Sequence, residues 1–176
     1  MRNRPAKLFC GLIGHSFDNA IRELTKRFGK IDLRMGSIPF AYTDYYKDEV
    51  GENLVRDWVT FERLIEEEDI GKIKILTCKI EKKLSLNGKR TVNIDPGYVN
   101  LSRIVLTSTK DYSHRVYIGR GIFAEITLIY KHKNFISLPW TYPDYKDNIE
   151  FFEKIRERFY TTVNIKCDQL ISRVVE

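Results

Sequence analysis

Arg115, Tyr117, Glu125 and Thr127 alternate with apolar residues along the run His114-Arg115-Val116-Tyr117-Ile118-Gly119-Arg120-Gly121-Ile122-Phe123-Ala124-Glu125-Ile126-Thr127-Leu128. A guanidinium, a phenol, a carboxylate and a hydroxyl brought together on one sheet face can hold an anion or move a proton. The period of two predicts a strand pair in which Val116, Ile118, Ile122, Ala124, Ile126 and Leu128 form the buried face and the polar row faces the other way. The competing reading is a solvent-facing sheet whose cross-strand Arg–Glu pair contributes at most about 1 kcal/mol.

Register decides whether the polar residues meet. A three-residue loop, Gly119-Arg120-Gly121, pairs Ile118 with Ile122 and Val116 with Ala124 and sets Arg115 against Glu125, with Gly121 suited to the left-handed position of such a loop. A five-residue loop from Lys110 to His114 pairs Thr109 with Arg115, Thr107 with Tyr117 and Leu106 with Ile118, so Thr107 and Thr109 join the row. Asn93 and Asp95 extend it from the incoming strand. The neighbouring loops carry Lys110, Asp111 and His114 on one side and Trp140-Thr141-Tyr142-Pro143-Asp144-Tyr145 on the other.

In this reading Arg115, Lys110 and His114 hold an anion, while Glu125 or Asp95 acts as general base, with His114 a further catalytic candidate. Trp140 and Tyr142 cover a planar, nucleotide-like part, and Tyr117, Thr107, Thr109, Thr127, Asn93 and Asp144 complete the lining. Carboxylates beside hydroxyls and a cation equally suit Mg²⁺. The aromatic run also reads as a helix-entry loop with Asp144 or Asp147 as N-cap. Asp95-Pro96-Gly97 reads as a type II turn. No nucleophile stands out, so no reaction class follows.

The elements that must position these residues follow from periodicity. Residues 7–13 predict a buried central strand; Ser16 as N-cap, with Phe17, Ile21, Leu24 and Phe28, predicts an amphipathic helix closed by Gly29. Residues 32–43 predict a strand broken by Gly36 and Pro39. Leu54, Trp58, Phe61 and Ile65 have helical spacing, as do Ile73, Leu76, Ile80 and Leu84. From residue 90 to 138 the period of two predicts about five short strands, and a long helix begins near Asp147. The expected fold is α+β: one domain over 1–176, a single mixed, mostly antiparallel sheet, helices packed on one face and a C-terminal helix.

The chain has 176 residues, 43% hydrophobic and 31% charged, a balance that excludes disordered and membrane-embedded classes. The apolar run 8–13 is too short and glycine-broken for a signal peptide, and Cys10, Cys78 and Cys167 have no metal-ligand spacing, so a cytoplasmic protein with reduced cysteines is expected. A net charge of +6 favours anionic partners. Neither GxxxxGK[ST] nor GxGxxG is present, which argues against a P-loop. His15, Asp18 and Glu23 begin a helix without a phosphate-cradling glycine pattern, and Tyr42-Thr43-Asp44-Tyr45-Tyr46 with Glu49 and Gly51 is an aromatic-rich candidate for lining the cleft. The alternative function is an RNA-associated or protein-interaction module using the basic helix 70–84, with Lys72, Lys74, Lys79, Lys82 and Lys83, together with Lys89-Arg90.

Together, Pro5 to Gly11, Pro39 to Tyr46 with Glu49-Val50-Gly51, Asn93-Ile94-Asp95-Pro96-Gly97-Tyr98, Thr109-Lys110-Asp111, the 114–128 run and Trp140-Thr141-Tyr142-Pro143-Asp144-Tyr145 resemble domain-of-unknown-function family 4416 of bacteria and archaea. The resemblance covers almost the whole chain. Val50 departs from it conservatively, where the family more often has Met. It implies no mechanism, and any GTP-binding label attached to such proteins would require a site other than a P-loop.

Overall fold

The computed structural model describes residues 4–41 and 53–175, with side chains described through residue 165. The aromatic segment 42–46 and residues 49–51 lie outside the described residues. Strand β1 (Pro5–Gly14) is the buried centre. It is followed by helix α1 (Asp18–Phe28), short strands β2 (Ile31–Arg34) and β3 (Ile38–Pro39), and strand β4 (Val55–Phe61). Next come β5 (Ile65–Glu66), a 3₁₀ turn over Glu67–Asp69, helix α2 (Ile70–Leu84), β6 (Val92–Val99) and β7 (Arg103–Ser108). The chain continues with β8 (Val116–Gly119), β9 (Ile122–Lys131), β10 (Asn134–Ser137), the short helix α3 (Pro143–Asp147) and the long α4 (Ile149–Val175).

One sheet of ten strands runs β10-β9-β7-β6-β1-β4-β2, with β3 on β4, β5 on β1 and β8 on β9. Every described pairing is antiparallel, so the α+β class, the single sheet and the C-terminal helix are as expected. The sheet separates two cores. Leu8, Cys10, Leu12, Val59 and Ile94 pack with Leu24 and Phe28 of α1 and Ile73 and Ile80 of α2. Phe9, Trp58, Ile104, Leu106 and Leu128 pack on the other face with Tyr145 of α3 and Phe151, Phe152 and Ile155 of α4.

The helix expected over Leu54 to Ile65 is instead β4. Its neighbours, β1 on one edge and β2 and β3 on the other, and a cover on both faces bury Arg56, Asp57, Trp58, Val59, Thr60 and Phe61 alike. A strand enclosed in this way loses the alternation that identifies strands in sequence. Within the expected 32–43 strand the described residues form the end of β2 and β3, with a break at Gly36 (φ 92°), and residues 42 and 43 lie outside the described residues. Helix α1 begins one residue later than a Ser16 cap would start it: Phe17 occupies the N-cap position with no side-chain cap, and Gly29 (φ 92°) closes the helix as expected.

Asp95-Pro96-Gly97 is no turn but the middle of β6, where Gly11, Cys10 and Phe9 of β1 lie opposite. Pro96 has consequences on the other edge. Strand β7 pairs with β6 only at Gly97↔Leu106, Tyr98↔Val105 and Val99↔Ile104. Beyond that point β6 stays with β1 as far as Val92, while β7 follows β9 as far as Ser108. Proline offers no N–H to a ladder, and its carbonyl accepts the Thr107 hydroxyl at 2.7 Å rather than a strand amide. The sheet therefore splits between β6 and β7.

The three-strand order expected for residues 107–128 is corrected in the same region. Strand β9 lies between β7 and β8, so the hairpin pairings of Thr109 with Arg115, Thr107 with Tyr117 and Leu106 with Ile118 do not form; Leu106 faces Glu125 and Thr107 faces Ala124. Val116 pairs with Ala124 as expected, but a shift in the register brings Gly119, not Ile118, opposite Ile122. The expected faces hold only in part: Ile122 and Leu128 are buried as expected, whereas β8 is exposed along its length and the sense reverses around Glu125. Val116, Ile118 and Ile126 are 68%, 42% and 36% exposed, while Glu125 and Thr127 are 4% and 0%. Helix α2 contacts β7 and β9 and brings Gly71 to Ile118, yet Val116 and Ile126 stay exposed. On the opposite side, Thr141 Oγ1 donates to the Thr127 carbonyl and Trp140 Nε1 to the Ile126 carbonyl, closing the 138–143 segment over the polar row.

Close packing where the split begins gives a test. A Cβ on Gly97 would lie 2.5 Å from both Phe9 Cζ and the Val105 carbonyl oxygen. Gly97→Ala is expected to lower stability by about 3 kcal/mol, the upper end for overpacking because one neighbour is backbone. Urea denaturation followed by far-UV circular dichroism measures it.

Candidate functional site

The split between β6 and β7 opens into a cavity of about 590 Å³. Its edge raises a hydrogen-bonding question, because Ile94 has lost a strand partner on the β7 side. Two side chains from α2 supply the bonds. Glu81 Oε1 accepts from Ile94 N at 2.6 Å, and Lys74 Nζ donates to the Ile94 carbonyl at 3.0 Å and to Asp95 Oδ1 at 3.1 Å. Buried polar groups on a backbone edge are costly unless satisfied, and this charged pair satisfies one residue's N–H and C=O together.

Asp95 is held further by Asn93 Nδ2 at 2.6 Å, and Asn93 Oδ1 in turn accepts from Arg90 at 3.2 Å. Burial would raise the Asp95 pKa, but Lys74, Arg56 and these hydrogen bonds outweigh it and hold the carboxyl below its ordinary value. Lys74 is also held above the usual lysine value: burial opposes its charge, and Asp95 and Glu81 overcome that. Glu81 moves the other way, raised by burial with only partial relief from Lys74.

Across the cavity, Arg56 of β4 crosses Gly11, where a Cβ would meet its guanidinium at 2.9 Å. It stacks 4.5 Å from the Trp58 ring centroid and pairs with Asp144 Oδ2 at 3.1 Å. Burial raises the Asp144 pKa despite Arg56. The Tyr145 hydroxyl beneath is pushed up by burial in the same way.

The rim is the expected constellation in a different arrangement. Arg115 Nε donates to Glu125 Oε2 at 2.8 Å, so the two side chains meet as expected, but Arg115 precedes β8 and both side chains are buried. Its terminal nitrogens donate to Ser108 Oγ (3.1 Å), the Lys110 carbonyl (2.9 Å) and the Tyr142 hydroxyl (2.8 Å). Burial opposes the Arg115 charge, yet Glu125 and Tyr142 leave its pKa raised. With four contacts made to the protein, Arg115 acts first as a clasp joining the β7–β8 loop, β9 and the 138–143 segment. Glu125 also accepts from Thr127 Oγ1 at 3.2 Å and lies 3.1 Å from His114 Nε2. The His114 ring stacks on Trp140, centroids 5.4 Å apart and planes 14° from parallel. Burial followed by the Arg115 charge lowers the pKa of Lys110 at the exposed edge of the cavity.

Of the residues singled out from sequence, Asn93, Asp95, Thr107, Thr109, Lys110, His114, Arg115, Glu125, Trp140, Tyr142 and Asp144 line this one cavity. Thr127 lies behind Glu125 as its support. Tyr117 is elsewhere: it is 59% exposed, packs on Phe123, and accepts from Gly121 N, because β8 is an edge strand and its tyrosine points away from the split. Asp144 does not cap the last helix; it lies in α3, buried against Arg56.

Sequence reasoning missed Arg56, Lys74, Glu81, Arg90, Cys78 and Tyr112, which also line the cavity. A signal for two of them was present: Lys74 and Glu81 fall in the Ile70, Ile73, Thr77, Ile80 stripe of α2, where charge on a buried face demands a partner. Arg56 was hidden by the helical reading of β4. Among the described residues no group of three or more His, Cys, Asp or Glu side chains is arranged to hold a metal.

The clasp is testable through stability. Arg115 and Glu125 side chains are 5% and 2% exposed. Arg115→Ala strands a buried carboxylate and is expected to cost about 3 kcal/mol, whereas Tyr142→Phe, which removes one hydroxyl, should cost about 1 kcal/mol. Equal losses in chemical denaturation would contradict the central role of the Arg115–Glu125 pair.

No curated protein and no solved structure matches the chain. Residues 4–159 match the family described as Domain of unknown function (DUF4416), a span that contains every element of the cavity wall. The chain belongs to that family.

Proposed function

We propose that the cavity at the β6–β7 split binds a small anionic ligand, with a phosphate-bearing, nucleotide-like molecule as the best fit. The observation that carries this reading is the convergence of Arg56, Lys74, Arg90, Lys110 and Arg115 on one cavity with four carboxylates, Glu81, Asp95, Glu125 and Asp144. The carboxylates are committed to buried cations or backbone amides. At the mouth of the cavity burial, and then the charge of nearby Arg115, lower the Lys110 pKa, so Lys110 stands beside the Arg115–Glu125 pair. A lysine beside a guanidinium at the mouth of a cavity favours an anion there. Trp140 and Tyr142, 39% and 43% exposed beside Tyr112, supply ring faces for a planar group.

The alternative, nucleic-acid binding by the lysines of α2, draws less support. Lys74 is turned into the cavity, Lys72 pairs with Asp69 at 2.7 Å, and Lys83 pairs with Glu23 at 2.8 Å. No helix among the described residues is long and apolar enough to cross a membrane.

Thermal-shift and calorimetric titration with inorganic phosphate and nucleoside phosphates test the proposal. Stabilisation should appear for wild-type protein and weaken in Lys110→Ala. The pH dependence has a definite sign. Lys110 starts below the ordinary lysine value of about 10.4, and a bound anion raises it, so affinity should fall as pH rises past the depressed value, before the ordinary lysine range. Lys110→Arg should retain binding and lose that fall. Quenching of Trp140 emission by nucleotide, but not by phosphate alone, would support the aromatic rim. Absence of stabilisation by every phosphate compound, with undiminished binding to RNA, would overturn the reading in favour of the α2 surface.

A further inference from the structure

The rim holds one group whose chemistry differs from that of the cations around it. His114 lines the cavity with its side chain 18% exposed, and its Nε2 lies 3.1 Å from Glu125 Oε2. Glu125 is buried and takes a second charge-assisted bond from Arg115 Nε on the same oxygen. A carboxylate held in this way by a guanidinium accepts hydrogen bonds and does not donate them, so the contact with His114 fixes the proton on Nε2. The other ring nitrogen, Nδ1, makes no hydrogen bond among the described residues. Stacking on Trp140, with planes 14° apart, leaves the ring little freedom to turn over.

We infer that His114 Nδ1 is the proton-accepting group of this cavity, with Glu125 and Arg115 as its positioning residues. The inference rests on the anion-binding reading for the ligand and on the geometry alone for the histidine. A hydroxyl, an amine or a water beside the bound anion would give its proton to Nδ1. The electron pair would remain on the oxygen or nitrogen that lost the proton, and the imidazolium formed would be stabilised by the Glu125 carboxylate at Nε2. A carboxylate that fixes the tautomer and supports the cation is the orienting arrangement general-base histidines require. Arg115 thereby acts through Glu125 and not on the proton itself.

Long-range ¹H–¹⁵N NMR on the full chain labelled at histidine tests this at pH 8.5, above the ordinary histidine range of about 6.5. His114 should show a protonated Nε2 and an unprotonated Nδ1, identified by loss of the signals in His114→Gln. Addition of inorganic phosphate or a nucleoside monophosphate should shift the Nδ1 resonance and leave Nε2 protonated. Glu125→Ala should mix the tautomers; Arg115→Lys, which keeps the charge beside Glu125, should preserve them. A protonated Nδ1 in the wild-type protein would overturn the inference. So would binding of the phosphate probe, seen by calorimetry in the same sample, with no response at Nδ1. If no probe binds while the Nε2–H tautomer is present and Glu125-dependent, the anion reading fails and the assignment of the proton-accepting nitrogen stands.

Discussion

The separation of β6 from β7 beyond Gly97 is the constraint on which the rest of the site depends. Two strands that leave one another in the middle of a sheet expose backbone donors and acceptors to a low-dielectric interior, and each must be satisfied. Here Thr107 takes the Pro96 carbonyl, and Lys74 and Glu81 take the C=O and N–H of Ile94. Once a lysine and a glutamate are buried for that purpose, the nearby charges follow: Asp95 balances Lys74, Asn93 steadies Asp95, and Arg90 reaches both Asn93 and Glu81. The polar lining of one wall is thus a consequence of how the sheet is repaired.

The opposite wall has a different origin. Segment 138–143 is stitched to β9 through Thr141 and Trp140, and Arg115 ties it to the β7–β8 loop through Tyr142. Side-chain hydrogen bonds hold this rim, together with ring contacts of Trp140 on His114 and Tyr142 on Tyr145. It is also the open part of the cavity, since Tyr142 and Trp140 are both more than a third exposed.

Much of this was legible in the sequence where periodicity and turn chemistry agree. The first strand, α1 with its closing Gly29, α2, the Arg115–Glu125 contact and the aromatic run at the rim were all readable. Two of the failures come from how the faces of a strand are covered. Strand β4 lost its alternation because both sides are covered, and with it went Arg56. In the 114–128 run Glu125 and Thr127 are buried because segment 138–143 closes over them, while Val116, Ile118 and Ile126 stay exposed. A single sequence records which residues share a face; it does not record which face a helix from the far end of the chain will cover. Lys74 illustrates the related difficulty that a lysine among lysines reads as surface until the strand beneath it is known to lack a partner.

The central claim, that the β6–β7 split is a built anion site, is tested most directly by a crystal structure of the protein grown with inorganic phosphate. The account predicts a phosphate within the cavity, in hydrogen-bonding contact with Lys110 and facing His114, while Lys74 and Glu81 keep their bonds to Ile94. A well-ordered cavity holding only water at saturating phosphate, with the anion bound instead along the exposed face of α2, would contradict it.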